Sequence, residues 1–127
     1  QEFLKPGEDP LQGMKNVFMW KAEFYQTEKI FNGCPCNNLI QEMAAIDDGF
    51  KQRLQNVMMT IHQTVCQALI EGQSNGFVKK DIDPNSTTLF LFSSYQGIMG
   101  TAKCMQAPNM LKQLFSTLNS YLDTLRP

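Results

Sequence analysis

Few side chains in this sequence could do chemistry together. His62 is the one histidine in 127 residues, and a lone imidazole with no assembled ligand set does not make a metal site. It reads either as a hydrogen-bonded, half-exposed helix residue or as a polar anchor inside a pocket, since a buried polar group needs a partner in both cases. Cys34 and Cys36 form a C-x-C around Pro35. A helix N-terminus lowers a thiol pKa, so the pair could act as a redox or metal switch, but no resolving thiol accompanies it and a structural corner is the favoured account. Cys66 and Cys104 fall in apolar helical stretches, where free Cys behaves as a small hydrophobe. Cysteine-usage rules favour four reduced thiols over disulfides. There is no phosphate loop, nucleophile elbow or HExxH pattern, so no catalytic activity and no cofactor are expected. What remains is binding: Tyr95, Gln96 and Met99 give the mixed apolar and polar set that can line a ligand cavity.

The element that carries those three residues spans positions 81 to 103. Asp83 is placed to cap a helix and Pro84 to occupy its first turn. The consecutive Leu89, Phe90, Leu91 and Phe92 cover every direction around that helix, which predicts burial on more than one side. Ser93, Gly97, Gly100 and Cys104 follow at spacings of four, three and four, a stripe of small residues that a second helix could approach closely.

Four more helices are expected. The first runs from Pro10 to about Ile30 on Leu11, Met14, Val17, Phe18 and Tyr25, with Trp20 and Phe24 offset. Gly33 and Pro35 then mark a stop and a start, and a short helix over residues 36 to about 46 turns Leu39, Ile40, Met43 and Ala44 inward. From Asp47 and Asp48 the clearest periodicity in the chain follows: Phe50, Leu54, Val57, Met58, Ile61, Val65 and Leu69, ending near Asn75 and Gly76. The last helix, after Ala107 and Pro108, carries Leu111, Leu114, Phe115, Leu118, Tyr121, Leu122 and Leu125. No period-two alternation predicts a strand. The class is all-α, five helices in one domain over residues 1–127.

Composition narrows the partners. Eleven basic and twelve acidic side chains give a net charge of -1, with no basic run to follow a phosphate backbone, so this chain by itself is not expected to bind nucleic acid. At 43% hydrophobic and 18% charged it can build a core. No apolar run approaches the roughly 20 residues that span a bilayer, and no signal-peptide pattern opens the chain; a cytoplasmic location is expected.

The segments GCPCNNLIQEMA at 33 to 44 and LIEGQSNGFVKKDIDPNSTTLFLFSSYQGIMGTAK at 69 to 103 resemble the C-terminal regulatory domain of the tetracycline-repressor (TetR) family of bacterial transcriptional regulators. The GCP-x-x-N-L corner, the EGQ-x-x-G helix end, the D-x-D-P helix start and the later QG pair recur in one broad subgroup of that family. The resemblance implies an all-helical domain that binds a small molecule and forms a homodimer through its last two helices in a four-helix bundle. Ligand binding would then re-space two helix-turn-helix domains on an operator. Those DNA-binding domains would precede Gln1, and the non-Met start agrees with a fragment lacking them.

Carried onto this sequence, the dimer surface would comprise Ser93, Gly97, Gly100 and Cys104 together with Leu111, Leu114, Phe115, Leu118 and Leu122. The alternative is that the leucine stripe serves the domain's own core. The pocket would lie between the first, long central and penultimate helices, lined by Trp20, Phe24, Met43, Met58, Ile61, His62, Tyr95, Gln96 and Met99, and would hold a modest apolar ligand. Two other classes compete: a secreted, disulfide-stapled helical carrier of hydrophobic molecules, and a thiol-based redox sensor working through Cys34 and Cys36.

Overall fold

Asp9 starts the framework. Its carboxylate accepts a hydrogen bond from the Leu11 N–H at 3.0 Å, and Pro10 follows at the one helical position where a missing N–H is no loss. The resulting helix α1 (Pro10–Tyr25) is capped by Gln26, whose N–H bonds the Glu23 carbonyl at 3.3 Å, and the expected continuation to residue 30 lies outside the described residues. A computed structural model of the chain describes residues 4–26, 33, 38 and 48–127. Of the short helix expected over residues 36 to 46 only Asn38 is described, in helical conformation, and Met43, Cys34 and Cys36 lie outside the described residues; four helices and no strand are delimited among the described residues.

Helix α2 (Asp48–Ser74) terminates as its sequence predicts. Gly76 adopts φ +84°, the Phe77 N–H bonds the Gly72 carbonyl at 2.8 Å and the Gly76 N–H reaches Gln73 at 3.4 Å. This is the Schellman arrangement, which satisfies the orphan carbonyls of the final turn. Helix α3 (Pro84–Met105) starts on Asp83, whose carboxylate accepts from the Asn85 N–H at 3.2 Å and from the Ser86 hydroxyl at 2.7 Å. It closes on Gln106, which takes the left-handed conformation at φ 47° without being glycine. Its side-chain amide donates to the Lys103 carbonyl at 2.9 Å, satisfying one of the helix-end acceptors. Helix α4 (Met110–Asp123) completes the set.

α1 packs on α4, α2 on α3 and α3 on α4, whereas α1 and α2 barely touch. The core therefore gathers where α1, α3 and α4 meet. Leu11, Met14, Phe18 and Ala22 enter from α1, Leu91, Met99 and Ala102 from α3, and Leu111, Phe115, Leu118 and Leu122 from α4. The rings of Phe18 and Phe115 stack at 5.1 Å with 2° between their planes, and Tyr95 lies 6.2 and 6.0 Å from them. That trio joins α1, α3 and α4, and aromatic pairs at such distances add to simple burial.

Two expectations fail here for the same reason. Leu89 and Phe90 are half exposed despite sitting in the most apolar run of the chain, because α2 and α4 cover only part of the circumference of α3. On α2, Val57 and Ile61 are also exposed, and only Leu54 and Leu69 of the long periodic stripe are buried. Among the described residues, the central turns of α2 border a space on one side while Val65 packs toward the core.

Ion pairs tie the chain ends together. Lys15 meets Asp123 at 2.9 Å and Arg126 meets Asp9 at 2.7 Å, so the residue that caps α1 is also held by the C-terminal segment. The Lys79 N–H adds a bond to the Leu125 carbonyl at 2.8 Å.

Candidate functional site

The space beside α2 is a cavity of about 390 Å³. Three helices line it at matching intervals: Met14, Val17, Phe18 and Lys21 on α1, Met58, Ile61, His62 and Val65 on α2, and Thr88, Leu91, Phe92, Tyr95 and Gln96 on α3. Spacings of three and four keep each set on one helical face, so the cavity is bounded by three parallel stripes. Leu4, Thr60 and Thr64 complete the described wall. The volume lies toward the small end of the range for ligand pockets.

Its polar groups are few and mostly committed. The Thr88 hydroxyl donates to the Pro84 carbonyl at 2.7 Å, Thr60 to Asn56 at 2.9 Å and Thr64 to Thr60 at 3.0 Å. Each therefore turns only acceptor lone pairs toward a ligand. His62 Nε2 lies 2.8 Å from Asn85 Oδ1; a carboxamide oxygen only accepts, so His62 donates from Nε2. This bond joins α2 to the first turn of α3. Gln96 Oε1 is buried with no hydrogen-bond partner. The Lys21 ammonium rests 5.4 Å from the centroid of the Tyr95 ring, a cation over a π face.

Of the residues expected to form the pocket, Met58, Ile61, His62, Tyr95 and Gln96 do line this cavity. Three others are placed elsewhere. Trp20 and Phe24 are half exposed, stack on each other at 5.3 Å and do not line the cavity. Met99 is fully buried in the core, a turn beyond the cavity. Met43 is outside the described residues. The α1 contribution was missed because Met14, Val17 and Phe18 looked like ordinary core; only the 14, 17, 18, 21 spacing, with a lysine as its last member, separates this face from the rest of the helix.

The expected dimer residues divide in the same way. Leu111, Phe115, Leu118 and Leu122 are buried within their own chain, so their apolar area is already spent in its core. Leu114 is half-buried, while Ser93, Gly97 and Cys104 are exposed and Gly100 partly so. A Cβ built at Gly97 or Gly100 meets nothing within 4 Å. Cys66 and Cys104 are free thiols. Among the described residues, no three His, Cys, Asp or Glu side chains gather to hold a metal ion, and no helix is long and apolar enough to cross a membrane.

A family model described as the tetracyclin repressor-like C-terminal domain matches residues 10–118. The chain belongs to that family. Among curated relatives of this TetR-family domain, a helix-turn-helix-type transcriptional regulator of Lactococcus lactis subsp. lactis, itself described as uncharacterized and located in the lacX 3' region, is 26% identical over 120 residues, 94% of this chain and 59% of that protein. The transcriptional regulator AcuR of Cereibacter sphaeroides is 27% identical over 124 residues, 98% of this chain and 57% of that protein. In three dimensions the fold matches the regulatory protein TetR from Rhodobacter sphaeroides with a TM-score of 0.78 at 26% identity, covering 93% of this chain and 62% of that one. The chain thus spans about three fifths of the length of the proteins it resembles.

Proposed function

We propose that this chain is the ligand-sensing and homodimerising domain of a TetR-like transcriptional regulator, in which a small, mainly apolar ligand changes DNA binding by a helix-turn-helix domain outside this sequence. The observation that carries the reading is the cavity of about 390 Å³ walled by α1, α2 and α3 in a chain of this family. A ligand seated there contacts α1 and α2, which otherwise barely touch, and so favours one relative placement of the two helices over others. The curated relatives are transcriptional regulators, which supports a regulatory, non-catalytic role and a cytoplasmic location. No feature of the described residues favours the secreted carrier or the thiol sensor.

The dimer surface consists of the uncovered face of α3, where Leu89, Ser93, Gly97, Gly100 and Cys104 follow at spacings of four, four, three and four, joined by Leu114 of α4. Phe90 borders it, leaning on Tyr121 at 5.0 Å. An exposed apolar and small-residue face of this kind marks a protein contact.

Thermal unfolding tests the sensing role. A ligand present at a hundred times its dissociation constant stabilises the native state by about 2.7 kcal/mol, which for a domain of this size raises Tm by several degrees. A panel of small apolar compounds that leaves Tm unchanged at millimolar concentration would sink the reading. Trp20 fluorescence is not the reporter, since the indole lies off the cavity.

A further inference from the structure

Lys21 is out of place in the cavity wall. The faces around it are built from Met, Val, Phe, Ile and Leu, and no described residue lining the cavity is acidic. Lys15, one and a half turns earlier on the same helix, is matched by Asp123. Lys21 has no carboxylate within ion-pair distance among the described residues, and its ammonium is set over the Tyr95 ring, half-buried at the edge of the apolar space. A ring face is a weak substitute for a counter-ion. A cation held in this way attracts an anion, and the low-dielectric wall strengthens that attraction relative to water.

The other polar groups say where such an anion would sit. The Thr60, Thr64 and Thr88 hydroxyls spend their protons on neighbouring carbonyl oxygens, so that side of the cavity offers acceptors and would repel a negative group. Among the described lining residues the one lysine or arginine is Lys21, where α1 meets Tyr95. A single charge at one edge with an apolar space beyond it is the complement of an amphiphile with one anionic head. The volume of about 390 Å³ equals about thirteen water-sized units at roughly 30 Å³ each, which suits a body of about eight to ten carbons.

We infer that the ligand class is a monocarboxylate with an apolar chain or ring, its carboxylate paired with Lys21 and its body lying among Phe18, Met58, Ile61, Val65 and Leu91. This assignment rests on the proposed sensing role of the cavity. Gln96 Oε1, buried without a partner, makes the opposite demand, for a hydrogen-bond donor. A charge-assisted hydrogen bond is roughly twice as strong as a neutral one, so the carboxylate wins unless the ligand's donor is seated ideally. A neutral carboxamide is for that reason the discriminating comparator.

The experiment measures binding of octanoate and of octanamide by titration calorimetry, to the chain and to its Lys21→Met variant, which keeps the length of the side chain and removes its charge. The expected result is that octanoate binds the chain more tightly than octanamide, loses about tenfold or more in affinity in the variant, and weakens as salt is raised. Octanamide should lose less affinity than octanoate in the variant, since a neutral carbonyl gains less from the ammonium than a carboxylate does, and an unchanged helical circular dichroism spectrum and thermal midpoint show that the variant is folded. Equal binding of the two ligands, or octanoate binding unchanged by Lys21→Met, overturns the carboxylate assignment and leaves the sensing cavity standing. Silence of both ligands toward both forms overturns the assignment and counts against the cavity as a sensor as well.

Discussion

Gly72 shows how little slack some positions have. A Cβ there would lie 2.7 Å from Val78 Cγ2 and 2.8 Å from Pro10 Cγ, distances at which something must move. Pro10 is pinned by the Asp9 cap, and Val78 is almost fully buried and held by its N–H on the Gly72 carbonyl. The same residue therefore supplies a close approach between α1 and α2 and the acceptor that closes the α2 end. Gly72→Ala is expected to cost about 1–3 kcal/mol by overpacking, against the small gain in helix propensity that alanine brings elsewhere. The urea midpoint of the variant measures it. An unchanged or raised midpoint would mean that the α1 start gives way more easily than these distances imply.

At the scale of the element, α3 carries both proposed contacts on different faces. Toward α1 and α2 it presents Leu91, Phe92, Tyr95 and Gln96 to the cavity, while Ser93, Gly97 and Cys104 are left outward. Gly97 separates the two roles experimentally. Within one chain nothing within 4 Å obstructs a side chain there, and replacing glycine in a helix interior gains up to about 1 kcal/mol. Gly97→Leu is accordingly expected to raise or preserve the stability of the single chain while weakening dimerisation, read by sedimentation over a range of concentrations. A dimer as tight as that of the unaltered chain would move the interface off this stripe. A drop in helicity would instead reveal an intrachain contact at Gly97.

The whole molecule is closed by Asp9, Lys15, Asp123 and Arg126, which join the head of α1 to the chain end. The hydrogen bond from Lys15 holds the Asp123 carboxyl below the usual carboxylate range, with Arg126 adding to it. Asp83 is lowered as well, first by the Ser86 hydroxyl and then by the Asn85 N–H. A carboxylate whose pKa is lower folded than unfolded stabilises the native state at neutral pH, and this contribution is lost as pH falls through the folded value. Stability should therefore hold between about pH 5 and 7 and fall below about pH 4. Asp123→Asn is expected to flatten part of that acid limb with little change in its position. Urea midpoints measured from pH 7 to pH 3 check this, and an acid limb as steep in the variant would remove Asp123 from the account. Arg126, its pKa raised by the hydrogen bond to Asp9, stays charged throughout.

Local chemistry was enough to place most helix ends. Asp83 before Pro84, Gly76 after the long stripe and Pro10 at the head of α1 each solve a backbone problem that involves only neighbours a few residues away, so the sequence alone located them, and with the GCP and D-x-D-P motifs it led to the family. The family resemblance pointed to the α2 and α3 faces of the cavity, through Met58, Ile61, His62, Tyr95 and Gln96. An apolar stripe, however, looks the same whether it meets another helix, a cavity or solvent. Only the tertiary arrangement decided that Leu111, Phe115, Leu118 and Leu122 are consumed inside one chain, that Trp20 lies outside the cavity, and that α1 and α2 stand apart far enough to place Lys21 in the wall of a mainly apolar cavity. Those outcomes depend on which helices touch, a long-range property that spacing along one helix does not encode.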